Sequence, residues 1–116
     1  MEKMYGGMDI HKENLAGCIM DENGNINREH KFPFSKEAVK QFLTDIPNSK
    51  ITIAIEACGL WRGAYKVLTE LGYKVKLANP KKTHDIACKK KTDKVDARIL
   101  ADLLRTNYLP EVWIPD

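Results

Sequence analysis

Apolar and polar positions change their period several times along this chain, and each change marks an element. Residues 4–10 and 14–20 are short apolar-rich runs of strand length, with Gly6 and Gly7 inside the first. Asp21-Glu22-Asn23-Gly24-Asn25 is a turn signal, because Gly and Asn accept positive φ and Asp bonds to nearby backbone. Residues 26–34 read as a third strand, so the first three strands form an antiparallel meander. Ser35 then reads as a helix N-cap, with Phe34 and Val39 at the two positions of a hydrophobic staple. Val39, Phe42, Leu43 and Ile46 recur at helical spacing, predicting a helix over 36–46 that Pro47 stops.

The run Ile51-Thr52-Ile53-Ala54-Ile55 is apolar on both faces and ends at Glu56. It predicts a central strand covered on both sides. Residues 60–71 read as a helix closed by Gly72, and 73–78 as a fifth strand. Strand, helix and strand in this order imply a parallel pair with a right-handed crossover. Asn79-Pro80 supplies an N-cap and a proline at the first helical position, predicting a short helix to about residue 88. A last helix is expected over 92–106, with Thr92 as its cap. The result is an α/β domain: a five-stranded mixed sheet, three antiparallel strands then two parallel, flanked by helices. The apolar stretch after residue 107 finds no partner in this pattern. One domain is therefore expected over 1–107, with 108–116 a tail leading to a further region where Trp113 packs.

Composition narrows the class. The chain has 116 residues, 43% hydrophobic and 30% charged, which suits one compact domain. No apolar run approaches the ~20 residues of a membrane span, and no signal peptide is visible. Cys18, Cys58 and Cys88 are odd in number and widely spaced, which excludes a disulfide framework and points to a reducing cytoplasm. His11, His30 and His84 have no zinc spacing with them. The net charge of +3 is mildly basic.

Four acids change the picture. Asp9 lies in the first strand, Glu56 ends the central strand, and Asp93 and Asp96 are three apart at the start of the last helix. At about 100° per residue, Asp93 and Asp96 share a helical face with Leu100, Leu103 and Leu104 and so face the domain. Carboxylates on apolar elements need partners. Each alone has an ordinary explanation: a dipole-pairing acid for Asp93, an ion pair with Arg62 or a lysine for Glu56, a turn cap for Asp9. Together they form an oxygen-only set suited to Mg²⁺ or Mn²⁺.

The motifs Gly7-Met8-Asp9-Ile10-His11-Lys12, Ile55-Glu56-Ala57-Cys58-Gly59, Asn79-Pro80 and Lys91-Thr92-Asp93-Lys94-Val95-Asp96-Ala97 stand in the order and spacing of a known group. The chain resembles the N-terminal, RuvC-like domain of the DEDD transposases of the IS-one-ten insertion-sequence type. That resemblance implies a ribonuclease-H-like fold, with Asp9, Glu56, Asp93 and Asp96 as catalytic metal ligands for Mg²⁺ or Mn²⁺. It implies DNA cleavage and rejoining during transposition, guided by a structured RNA, in a protein that works as a homo-oligomer. It also implies a C-terminal domain with a serine nucleophile, a role that neither Ser35 nor Ser49 fits. Cys58 departs from the small hydroxyl residue common in the family at that place.

Lys81, Lys82, Lys89, Lys90, Lys91 and Lys94 crowd the approach to the last helix. They read as phosphate-steering groups beside the acids, or as a solvated connector. Trp61 and Tyr65, four apart, read as core residues rather than base-stacking ones. Two other classes compete with a metal-dependent DNA enzyme. An ATP-binding domain of the actin and sugar-kinase type needs a Gly/Thr-rich hairpin where this chain has His11-Lys12-Glu13-Asn14. A non-catalytic nucleic-acid-binding module would leave the acids structural.

Overall fold

A computed structural model describes residues 3–87 and 96–114. Strands β1 (Met4–Ile10), β2 (Asn14–Met20) and β3 (Ile26–Pro33) form the antiparallel meander. The Asp21 carboxylate accepts from the N–H groups of Asn23 and Asn25, and Gly24 takes φ of 84°, so the β2–β3 turn follows its sequence signal. Helix α1 (Lys36–Phe42) leads to β4 (Ile51–Glu56), α2 (Trp61–Glu70), β5 (Lys74–Ala78) and α3 (Pro80–Ala87). Helix α4 (Ala97–Arg105) and a short strand β6 (Glu111–Val112) complete the described elements. The sheet order is β3-β2-β1-β4-β5-β6, with β4 and β5 parallel to β1. This is the expected ribonuclease-H-like mixed sheet with one correction, a sixth strand. Glu111 and Val112 pair antiparallel with Ala78 and Leu77, Asn79 N–H donates to the Pro110 carbonyl, and Lys76 meets Glu111 at 3.2 Å. The pairing satisfies the outer edge of β5, which would otherwise stand open.

The sheet is covered on both faces. On one face Met8, Ile53, Ile55, Leu15 and Ile19 pack against Val39, Phe42 and Leu43 of the α1 segment and Ala64 and Leu68 of α2. Trp61 and Tyr65 lie against this core edge-to-face, 5.7 Å between ring centroids. On the other face Cys18, Met20, Ala54 and Ala78 lie under Ala97, Leu100 and Ala101 of α4. Each buried Leu, Ile or Met side chain contributes about 1.5–3 kcal/mol.

Two helix boundaries depart from the sequence pattern. Helix α1 stops at Phe42 instead of 46. Asp45 turns left-handed (φ 69°), and Arg28 donates one Nη1 to the carbonyls of both Phe42 and Thr44 at 2.9 Å, satisfying the helix end from β3. Helix α4 starts at Ala97 rather than 92, with Asp96 extended (φ −105°, ψ −179°) as its N-cap. The other caps follow expectation. Ser35 Oγ accepts from Ala38 N–H, and Asn79 Oδ1 from Lys82 N–H. Gly72 (φ 88°) closes α2 while Tyr73 N–H reaches back to Leu68. No helix among the described residues is long and apolar enough to cross a membrane.

Candidate functional site

Strands β1 and β4 run parallel with Met8 opposite Ile55. One residue further along, at the carboxyl ends of both strands, stand Asp9 and Glu56. Side chains alternate along a strand, so these acids share the face of Gly7 and Ala54, the face that α4 covers. Crevices at strand carboxyl ends are the usual ligand positions of α/β sheets.

Gly7 sets how closely α4 lies on the sheet. A Cβ at Gly7 would stand 2.6 Å from the Ala101 nitrogen and 2.9 Å from Leu100 Cβ, closer than atoms pack. The close approach at Gly7 is made by a helix backbone. It carries the start of α4, and with it Asp96, over β1 and β2.

Asp9 is only 7% exposed, and its Oδ2 lies 2.9 Å from His11 Nε2. His11, in the turn after β1, is thus a direct partner of the buried carboxylate. Glu56 is half-buried, and its Oε2 is fully buried without a hydrogen-bond partner among the described residues. Burial pushes the Glu56 carboxyl above its ordinary range, His84 opposes that shift, and the Asp9 charge adds to it. Two acids here repel each other across neighbouring strand ends. The ion pair between Glu56 and Arg62 or a lysine is not formed among the described residues.

Asp96 departs from its expected setting. It is not on a helical face with the leucines but at the cap, where Oδ1 accepts from Ile99 N–H at 3.0 Å. A short acid side chain competes well for free N–H groups, and Asp96 takes this cap; Thr92, the expected cap, lies outside the described residues. Its charge acts on Arg98 and on the Cys18 thiol. Asp93 lies outside the described residues, so the helical relation expected between Asp93 and Asp96 has no described counterpart. Among the described residues no group of three or more His, Cys, Asp or Glu is placed to hold a metal ion. Asp9 and Glu56 come together on neighbouring strands, and Asp96 caps α4.

Lys81 and Lys82 are exposed on the first turn of α3. Lys89, Lys90, Lys91 and Lys94 lie outside the described residues. Cys18 is fully buried, and burial, then Glu29, pushes its thiol up to about 11, so it stays protonated and inert at neutral pH.

Two features were not anticipated. His84 acts on Glu56 from α3, and its one signal is its place a turn after Pro80, behind the strand next to β4. Arg98 forms a bidentate pair with Glu29 at 2.6 and 2.8 Å, tying the first turn of α4 to β3, and this pair holds the Glu29 carboxyl below its ordinary range. Nothing in the sequence pairs residues so far apart.

A family model described as a transposase, of the DEDD and IS110 (IS-one-ten) type, matches residues 6–116. A search of curated proteins gives no match. Among solved structures, the chain is similar to a large terminase from a thermophilic bacteriophage, with a TM-score of 0.53 and 17% identity. The likeness covers 93% of this chain but 28% of the terminase chain, and it shows the fold alone.

Proposed function

We propose, since the chain belongs to the DEDD transposase family of the IS110 type, that Asp9, Glu56, Asp93 and Asp96 hold divalent metal and act on DNA phosphodiesters. The observation that carries this reading is the buried Oε2 of Glu56, without a hydrogen-bond partner among the described residues, beside the buried carboxylate of Asp9. An orphaned buried acceptor next to a second acid is costly in the metal-free chain. A divalent cation removes both faults at once, so these residues fit one.

The donor set is all oxygen, which favours Mg²⁺ or Mn²⁺. When bound, such a cation neutralises phosphate charge and makes a coordinated water more acidic. The chain's own residues prepare the place. Gly7 lets α4 seat closely, Asp96 keeps one carboxylate oxygen for Ile99 and offers the other, and His11 orients Asp9. Lys81 and Lys82, with Lys89, Lys90, Lys91 and Lys94, hold phosphates and give the complex its salt dependence.

In the whole protein this domain, its sheet completed by β6, supplies the metal centre. The strands of DNA are cut and rejoined together with a C-terminal serine domain, under guidance by a structured RNA, in a cytoplasmic homo-oligomer. Electron paramagnetic resonance of Mn²⁺ tests the centre without requiring activity. Bound, broadened Mn²⁺ is expected for the wild-type chain and lost in Glu56→Gln; equal binding by both would contradict the assignment.

A further inference from the structure

A second concavity opens at the same end of the sheet, on the opposite face from the carboxylates. It is a cleft of about 290 Å³ between the β1–β2 turn, the residue before Ser35, and the start of α2. His11 and Lys12 line one side, Phe34 a second, and Leu60, Arg62 and Gly63 the third. No Asp or Glu lines it. Phe34 and Leu60 are 38% and 45% exposed, unusual for large apolar side chains beside three basic residues.

Arg62 is oddly placed for a structural cation. It sits in the first turn of α2, where the helix dipole disfavours positive charge, and its guanidinium lies 4.7 Å from the Trp61 ring centroid. Among the described residues neither Lys12 nor Arg62 makes an ion pair. The cleft is joined to the acids through His11, which lines it and also meets Asp9 at 2.9 Å. An apolar surface that includes an aromatic ring, flanked by cations that make no ion pair among the described residues, is the chemistry that receives a nucleobase and its phosphates.

We propose that this cleft seats an unpaired segment of the DNA strand adjoining the phosphodiester that reaches the carboxylates, a proposal that rests on the DNA-processing role above. The base lies against Phe34 and Leu60, and the phosphates meet Lys12 and Arg62. The strand passes over the carboxyl ends of β1 and β4, past His11, from one face of the sheet to the other. Neither Lys81 nor Lys82 lines this cleft, so it is a contact region distinct from the first turn of α3.

Fluorescence anisotropy with a labelled single-stranded DNA of about a dozen nucleotides, in EDTA, reads binding by the whole chain. Lys12→Ala/Arg62→Ala is expected to weaken binding tenfold or more, and to flatten the plot of log affinity against log salt by about 1 to 1.5. Phe34→Ala is expected to weaken it about tenfold with the slope unchanged. Gly63→Leu keeps the test sound against unfolding. A Cβ there meets only Phe34, at 3.8 Å, and leucine favours the helix, so this variant should melt no lower than wild type yet lose binding.

Wild-type affinity in folded Gly63→Leu and in Lys12→Ala/Arg62→Ala would overturn the cleft, as would no binding by wild type or tighter binding of duplex or of RNA of the same sequence. The metal response is a separate readout. A chain that ignores Mn²⁺ but needs Lys12 and Arg62 for DNA would overturn the metal centre and leave the cleft standing. A chain that responds to Mn²⁺ but binds DNA regardless of Gly63→Leu would overturn the cleft alone.

Discussion

Gly7 lies directly beneath the carbonyl of Ala97, so that any side chain at position 7 would overlap the first turn of α4. This one contact seats the first turn of α4, which Asp96 caps, on β1, the strand that carries Asp9. Gly7→Ala is expected to destabilise the chain by about 3 kcal/mol or more, because the obstacle is backbone and cannot rotate away. Urea unfolding would measure it; an unchanged midpoint would mean that α4 does not rest on β1.

Asp96 has two roles that two substitutions separate. Asp96→Ala removes the cap on Ile99 N–H and should cost about 1 kcal/mol without metal. Asp96→Asn keeps an accepting oxygen and should leave metal-free stability within about 0.5 kcal/mol of wild type. Its metal response should nonetheless fall, since the charge is gone. Chemical denaturation with and without Mn²⁺ checks both statements.

Glu56 gives a pH signature. Its folded-state carboxyl lies above the ordinary range, so protonation favours the folded chain. That contribution is fully present below the ordinary Glu range and disappears as pH rises through the raised value. Metal-free wild type should therefore lose stability from mildly acidic to neutral pH by more than Glu56→Gln does. At neutral pH the variant should be more stable by about 1 kcal/mol, the low end of the cost of an unpaired buried polar group. Parallel pH dependence in the two proteins would show that Glu56 carries no such cost.

Much of this architecture is readable from local chemistry. Ser35, Asn79-Pro80 and Gly72 act at their helix ends within a turn of where they stand in sequence, and β1, β2 and β4 follow apolar-rich runs. What local pattern missed depends on distant partners. Helix α1 is cut short where Arg28 reaches across from β3. Strand β6 is two residues behind Pro110 and exists because β5 offers an open edge. Asp96 leaves the helix because capping satisfies a free N–H, a competition that a helical wheel does not count. The same division holds at the site. That Asp9 lies in a strand and Glu56 ends one is legible in their apolar runs, while the β1–β4 register that sets them side by side, the influence of His84 and the Glu29–Arg98 pair needed the folded chain.

The most direct test of the metal centre is the melting temperature of the chain as Mn²⁺ or Mg²⁺ is added. A cation bound only by the folded state raises stability by RT ln(1 + [L]/Kd), about 2.7 kcal/mol at a hundredfold excess over Kd. Wild type should melt progressively higher with added metal, whereas Asp9→Asn/Glu56→Gln and Asp93→Asn/Asp96→Asn should not. Equal shifts in all three proteins, or none in wild type, would contradict a metal held by these four carboxylates.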